Sequence, residues 1–184
     1  GEWPDLRARD WRANPSILAG DLLGDDGPGF ANIDDNTISV VWASYTDDTA
    51  LLDGFFIRGG NCGFDTSDCW FTPYSGGGGI RCFAGDAVIR NCSIERNVAQ
   101  TGGGVYVVHT GSPDFLGCDF IGNRAIGYLL GASGAAMYVS ADDGGDFCRV
   151  EHCRFLGNFS DQSGGAVTNI CQDGTFLNCL FAHN

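Results

Sequence analysis

Residues Gly117-Cys118-Asp119-Phe120-Ile121-Gly122-Asn123 decide the fold, because the same seven-residue pattern stands at three other places in the chain. It returns as Asn91-Cys92-Ser93-Ile94-Glu95-Arg96-Asn97, as His152-Cys153-Arg154-Phe155-Leu156-Gly157-Asn158 and as Asn178-Cys179-Leu180-Phe181-Ala182-His183-Asn184. The cysteines at 92, 118, 153 and 179 and the asparagines at 97, 123, 158 and 184 share one set of spacings, 26, 35 and 26 residues. An apolar residue precedes each cysteine by three: Ile89, Phe115, Val150 and Phe176. Four columns aligned over four copies are an internal repeat, and a repeat of about 20–50 residues signals a solenoid, propeller or array.

Outward from these copies lies a degenerate fifth, Leu52-Asp53-Gly54-Phe55-Phe56-Ile57-Arg58-Gly59-Gly60. There Phe55 takes the cysteine place, Ile57 the aromatic place and Gly60 the asparagine place. Between copies runs a second marker: Gly77-Gly78-Gly79-Ile80, Gly102-Gly103-Gly104-Val105, Gly134-Ala135-Ala136-Met137 and Gly164-Gly165-Ala166-Val167. Each repeat reads as a Gly turn, a short apolar strand, a turn, a second strand and an Asn turn. In Cys-x-Phe, alternation sends both named side chains to one face and the intervening residue to the other. The intervening residues Ser93, Asp119, Arg154 and Leu180 are mostly polar, as a solvated outer wall requires. No 3.6-residue apolar period runs long enough for helices, and a propeller blade needs about 40 residues. The fold class is therefore all-β: a right-handed parallel β-helix, a pectate-lyase-like solenoid whose coils stack about 4.8 Å apart. Stacked asparagines are expected to hydrogen-bond along the axis and fix the register. The coils occupy 37–184, and 1–36 is an N-terminal flank, cap or incomplete coil. The last motif ends at Asn184 without a cap, so further coils of a longer helix are expected to follow.

The chain has 184 residues, enough for one domain, and 29 glycines without a collagen-like period point to many tight turns. Ten basic residues, all arginine, face 23 acidic ones, a net charge of −13. That balance excludes nucleic acid as a partner. No apolar run is long enough to span a membrane. Nine cysteines cannot all pair within one chain, and those at 92, 118, 153 and 179 read as small core hydrophobes. Cys62 and Cys69 can close a local disulfide, Cys148 and Cys171 are conceivable partners on adjacent coils, and Cys82 is left over.

The GG(A/G)(I/V) and FxxN markers, as in Gly164-Gly165-Ala166-Val167 and Phe120-Ile121-Gly122-Asn123, resemble the paired repeats of chlamydial polymorphic outer membrane proteins. Related repeats occur in secreted bacterial β-helix proteins, and Asn14-Pro15-Ser16-Ile17-Leu18-Ala19-Gly20-Asp21 looks like their entry region. The resemblance covers about residues 14–184. It implies the extracellular space or the outer membrane and cell surface as location, and adhesion or recognition as role. Activity does not follow, because one coil architecture serves adhesins, scaffolds and polysaccharide-degrading enzymes.

Function in solenoids lies mostly in insertions on one side. Two follow the Asn turn, at 61–76 and 124–133, so they should leave the same edge one intervening coil apart. Their aromatics Trp70, Phe71, Tyr74 and Tyr128 suit stacking on sugar rings or anchoring a protein, or they fold back over the coil. For catalysis the nearest carboxylate–arginine group is Arg154 with Asp119 and Glu151, in a setting where such a column is usually a surface pair. The histidines at 109, 152 and 183 lie in turns, without a nucleophile motif. No cofactor is called for. Calcium has candidates in Asp21, Asp25 and Asp26, yet Leu23 takes a ligand place and no glutamate closes the loop, which favours a solvated acidic turn. Asp142, Asp143 and Asp146 form a second acidic group. The reading that results is a non-catalytic secreted or cell-surface β-helix binding a glycan or a host or cell-surface protein through its edge loops. The alternatives are a lyase or hydrolase acting on an acidic polysaccharide, and a structural spacer.

Overall fold

In a computed structural model of the chain, the described residues are 9–63, 76–127, 132–140, 148–170 and 174–184. The first strand, β1 (Ser16–Ala19), lies within the N-terminal flank. The next coil holds β2 (Val41–Trp42), β3 (Leu51–Asp53), β4 (Phe55–Arg58) and β5 (Asn61–Cys62). It is followed by β6 (Ile80–Phe83), β7 (Val88–Arg90), β8 (Ser93–Glu95) and β9 (Val98–Ala99). A third coil comprises β10 (Val105–Val108), β11 (Asp114–Leu116), β12 (Asp119–Ile121) and β13 (Arg124–Ala125). A fourth comprises β14 (Met137–Ser140), β15 (Arg149–Glu151), β16 (Arg154–Leu156) and β17 (Phe159–Ser160). Last come β18 (Val167–Asn169), β19 (Thr175–Leu177) and β20 (Leu180–Ala182).

Every pairing is parallel and joins like strands of successive coils. Four sheets result. Sheet A runs β1-β4-β8-β12-β16-β20, sheet B β2-β6-β10-β14-β18, sheet C β3-β7-β11-β15-β19 and sheet D β5-β9-β13-β17. This is the right-handed parallel β-helix that the repeat demands. Among the described residues no helix is long and apolar enough to cross a membrane.

The coil carries four strands rather than the two read from the repeat, for a backbone reason. The residue before each cysteine is left-handed: Gly54, Asn91, Gly117, His152 and Asn178 have φ between 51° and 82°. That residue breaks what looked like one strand into a sheet C strand and a sheet A strand. Glycine, asparagine and histidine fill the column because they tolerate this region best. After the asparagine, two more residues pair as sheet D.

Register places like over like. One inward column of sheet A is Leu18, Ile57, Ile94, Phe120, Phe155 and Phe181. The rings of Phe120 and Phe155 stack at 4.6 Å, and those of Phe155 and Phe181 at 4.5 Å, which is the coil spacing itself. Leu52, Ile89, Phe115, Val150 and Phe176 form the facing column of sheet C. The cysteine ladder lies between them, with Cys92, Cys118 and Cys153 fully buried.

The asparagine ladder closes the turn. The Asn97 backbone and side-chain amides both donate to Asn123 Oδ1 at 3.1 Å, and Asn123 does the same to Asn158 Oδ1 at 3.0 Å. Asn158 donates in turn to Asn184 Oδ1. Each side-chain amide also reaches a backbone carbonyl one coil back: Ile57 for Asn97, Ile94 for Asn123 and Phe120 for Asn158, among buried residues. In the degenerate copy Gly60 lacks a side chain, but its N–H still donates to Asn97 Oδ1.

Candidate functional site

Arg154 and Asp119 meet as the repeat register requires. Their outward side chains are paired neighbours in sheet A, and Arg154 Nε and Nη2 donate to the two Asp119 oxygens at 2.6 Å each. The hydrogen bond and charge of Asp119 raise the Arg154 pKa, which holds the guanidinium protonated. A lyase base needs the opposite shift. Glu151 does not join this pair; it lies 3.6 Å from Arg149, whose other partner is Asp114 at 2.7 Å.

The outer wall of sheet A is solvated at Arg154 and Leu180, as its column suggested, but not at the two coils before them. Ser93 and Asp119 are only 2% and 4% exposed. Residues 9–14 lie across them. Trp11 packs its ring 5.7 Å from that of Phe56, the outward residue one coil before Ser93. Arg12 then donates to Asp119 Oδ2 at 3.1 Å, so Asp119 is shared by two guanidiniums. Arg9 reaches Asp53 at 2.7 Å, a carboxylate that also binds Arg90 and Asn91.

The acidic segment at 20–36 leaves sheet A after β1 and packs against the corner between sheets A and D. Arg96 Nη2 donates to the Gly27 carbonyl at 2.7 Å, and Phe30 lies against the Arg124 guanidinium. Carboxylates knit the segment together. Asp21 accepts the amides of Gly24, Asp25 and Asp26, and Asp35 accepts those of Leu22 and Leu23. The trio brought together is Asp21, Asp25 and Asp35, with carboxylate oxygens within 4.8 Å of one another. Asp26 is not in this trio, because its carboxylate turns to the Asn36 side-chain amide. Burial raises the Asp26 pKa, the Asn36 hydrogen bond opposes this, and the charges of Asp21 and Asp35 add to the rise. Since the Asp21 and Asp35 oxygens already accept backbone amides, the arrangement is that of an acidic turn held by its own main chain.

Beside this segment opens a cleft of about 380 Å³ lined by Ala19, Asp21, Gly24, Asp26, Arg58, Gly59 and Arg96. That size suits a small ligand. Carboxylates line it together with guanidiniums. Gly59 is needed there, since it is left-handed and a Cβ on it would stand 3.1 Å from the Asp21 amide nitrogen and 3.3 Å from Asp26 Oδ2. Arg58, Arg96 and Asp35 were not among the residues singled out from the sequence. Arg96 did leave a signal: it is left-handed, in a column otherwise held by Gly59, Gly122, Gly157 and His183. A long charged side chain in such a place is a mark of function or strain.

The insertions at 61–76 and 124–133 begin with β5 and β13, which lie in sheet D with β9 between them. They thus leave one edge, beside the cleft. Trp70, Phe71, Tyr74 and Tyr128 lie outside the described residues, as do Cys69, Cys171, Asp142, Asp143 and Asp146. Cys62 is disulfide-bonded. The ladder thiols and Cys82 are free, and burial pushes the Cys118 thiol well above its ordinary value. His109, His152 and His183 occupy left-handed turn positions.

A family model described as right handed beta helix region matches residues 23–184. No curated protein and no solved structure matches the chain. The family match covers β2 to β20, both edge insertions and most of the acidic segment, and leaves outside it β1 and the cleft residues Ala19 and Asp21. With its parallel coils and stacked ladders, the chain belongs to the right-handed β-helix family.

Proposed function

We propose that this chain is a non-catalytic, secreted or cell-surface β-helix that recognises glycans at the corner between sheets A and D. The observation that carries the reading is the cleft of about 380 Å³ formed by Asp21, Asp26, Arg58 and Arg96 beside the edge from which both insertions depart. Planar carboxylates and guanidiniums suit neighbouring sugar hydroxyls: the carboxylates accept from them and the guanidiniums donate to them. The aromatics Trp70, Phe71, Tyr74 and Tyr128 would add stacking from the insertions. A lyase gains no support from Arg154, which is locked to Asp119 in its protonated form. An array of neutral and acidic oligosaccharides tests the reading. Binding should fall at least about tenfold in Arg96→Ala and on replacement of 64–75 by a short linker, with the far-ultraviolet spectrum unchanged. Full binding by both altered chains, or release of soluble product from any glycan, would overturn it.

A further inference from the structure

The segment at 9–14 is attached differently from every strand of the coil. β1 pairs with β4 through a four-residue parallel register. Residues 9–14, by contrast, make no backbone hydrogen bond to the coil among the described residues; their one such bond, from Asn14 N to the Asp10 carbonyl, is internal. What holds them is three side chains: Arg9 on Asp53, Trp11 on Phe56 and Arg12 on Asp119. Arg12 also lies over the Trp11 ring at 4.1 Å, so the segment presents a preformed arginine–tryptophan unit. The Arg9 and Arg12 side chains remain 33% and 53% exposed, which leaves their ion pairs open to screening by salt. Asp119 keeps its bidentate bond to Arg154 whether or not Arg12 is present, and Asp53 keeps Arg90 and Asn91. Release of the segment therefore strands neither carboxylate. Asn14-Pro15 joins it to β1 by a proline that has no N–H to donate.

We propose that the outer face of sheet A is a docking groove for a short turn-forming peptide of the form Arg-x-Trp-Arg, and that residues 9–12 of the same chain, which open the turn closed by the Asn14 N–H on the Asp10 carbonyl, are its resident, displaceable occupant. The groove supplies an acidic site at Asp53 for the first arginine, the ring of Phe56 for the tryptophan, and Asp119 for the second arginine. The partner is a polypeptide with an aromatic residue between arginines; the chain's net charge of −13 attracts such a segment. The groove is separate from the corner cleft and stands or falls independently of glycan binding.

Two measurements on the full chain test this. First, a full-length variant carrying Arg9→Ala, Trp11→Ala and Arg12→Ala empties the groove while leaving the coil residues intact. It should bind a labelled synthetic peptide of residues 9–14 at least about tenfold more tightly than the wild type, whose tethered segment competes at high effective concentration. Adding Asp119→Asn to that variant should remove the gain. Second, tryptic cleavage after Arg12 in the wild-type chain should accelerate about fivefold or more between low salt and roughly 0.5 M salt, with no cleavage within the coil. Equal peptide affinity in the wild type and the triple variant would overturn the groove. A salt-independent cleavage rate would overturn its displaceable occupant, even if the triple variant failed to fold.

Discussion

Replacing Asn123 by alanine removes one rung of the asparagine ladder, and its cost follows from the partners left behind. Asn123 Oδ1 accepts from the Asn97 N–H and the Asn97 side-chain amide, while its own amide donates to the Ile94 carbonyl and Asn158 Oδ1. Without it the Asn97 N–H has no acceptor at a residue with no solvent exposure. An orphaned buried donor costs about 1–3 kcal/mol, and the loss of the side-chain bonds and volume brings the total to about 2–4 kcal/mol. Asn97 Nδ2 keeps the Ile57 carbonyl and Asn158 Oδ1 keeps the Asn123 N–H, so the damage stays local. Asn184→Ala removes the same kinds of bonds, to Asn158 and Phe155, but Asn184 is exposed and water can replace them. Its cost should stay below about 1 kcal/mol. Urea titrations read both values at unchanged m, and for a chain of this size Asn123→Ala should lower Tm by about 5–15 °C. Equal losses at the two positions would refute the ladder as a buried hydrogen-bond device. So would an Asn123→Ala variant within about 0.5 kcal/mol of the wild type.

Two further outcomes follow from titratable groups. Burial pushes the Cys82 thiol up to about 12, whereas Cys179 is half-buried in the last coil. At pH 8 the Cys82 thiolate is a fraction of about 10⁻⁴, so iodoacetamide should label Cys179 long before Cys82 in the native chain, as read by peptide mass mapping; equal rates would refute the burial argument. At Asp53, burial favours the protonated form, but hydrogen bonds from Asn91 and Arg90 and the charges of Arg90 and Arg9 outweigh it and hold the pKa below its ordinary value. A carboxylate lowered in the folded state contributes stability above its unfolded pKa of about 4, and that contribution is lost as pH falls through the folded value. Asp53→Asn should therefore cost roughly 1 kcal/mol at pH 7 and converge with the wild type towards about pH 2; a pH-independent difference in urea titrations would count against the ion pairs.

The columns were legible in the sequence because each is stated four or five times. A buried place in one coil lies directly above the same place in the next, so Ile57, Ile94, Phe120, Phe155 and Phe181 had to be alike in kind. Even the degenerate copy could be aligned, since Gly60 still donates its N–H where an asparagine would stand. The count of strands was less legible. The break before each cysteine depends on a left-handed φ, and glycine, asparagine and histidine in one column signal it only once that column is read as backbone chemistry.

The proposed binding surfaces were harder to read because their contacts obey no period. Arg12 meets Asp119 across 107 positions, and nothing in either local sequence marks the other. Ser93 and Asp119 looked like a solvated wall because outward polar residues normally are one. Trp11 and Arg12, outside every repeat, lie against Phe56 and Asp119, on either side of Ser93 in that column. Likewise Asp35 replaces Asp26 in the acidic trio because the path of the turn, not the spacing along the chain, decides which carboxylates meet. A solenoid divides its information in this way. Residues that recur hold the coil and are constrained by stacking, so they are poorly placed to recognise anything. Residues that depart from a column, such as Arg96 among glycines, or that belong to none, such as Trp11, are free of that constraint. Both the cleft and the groove draw on residues of this second kind, which is why departures from the repeat are the places to mutate first.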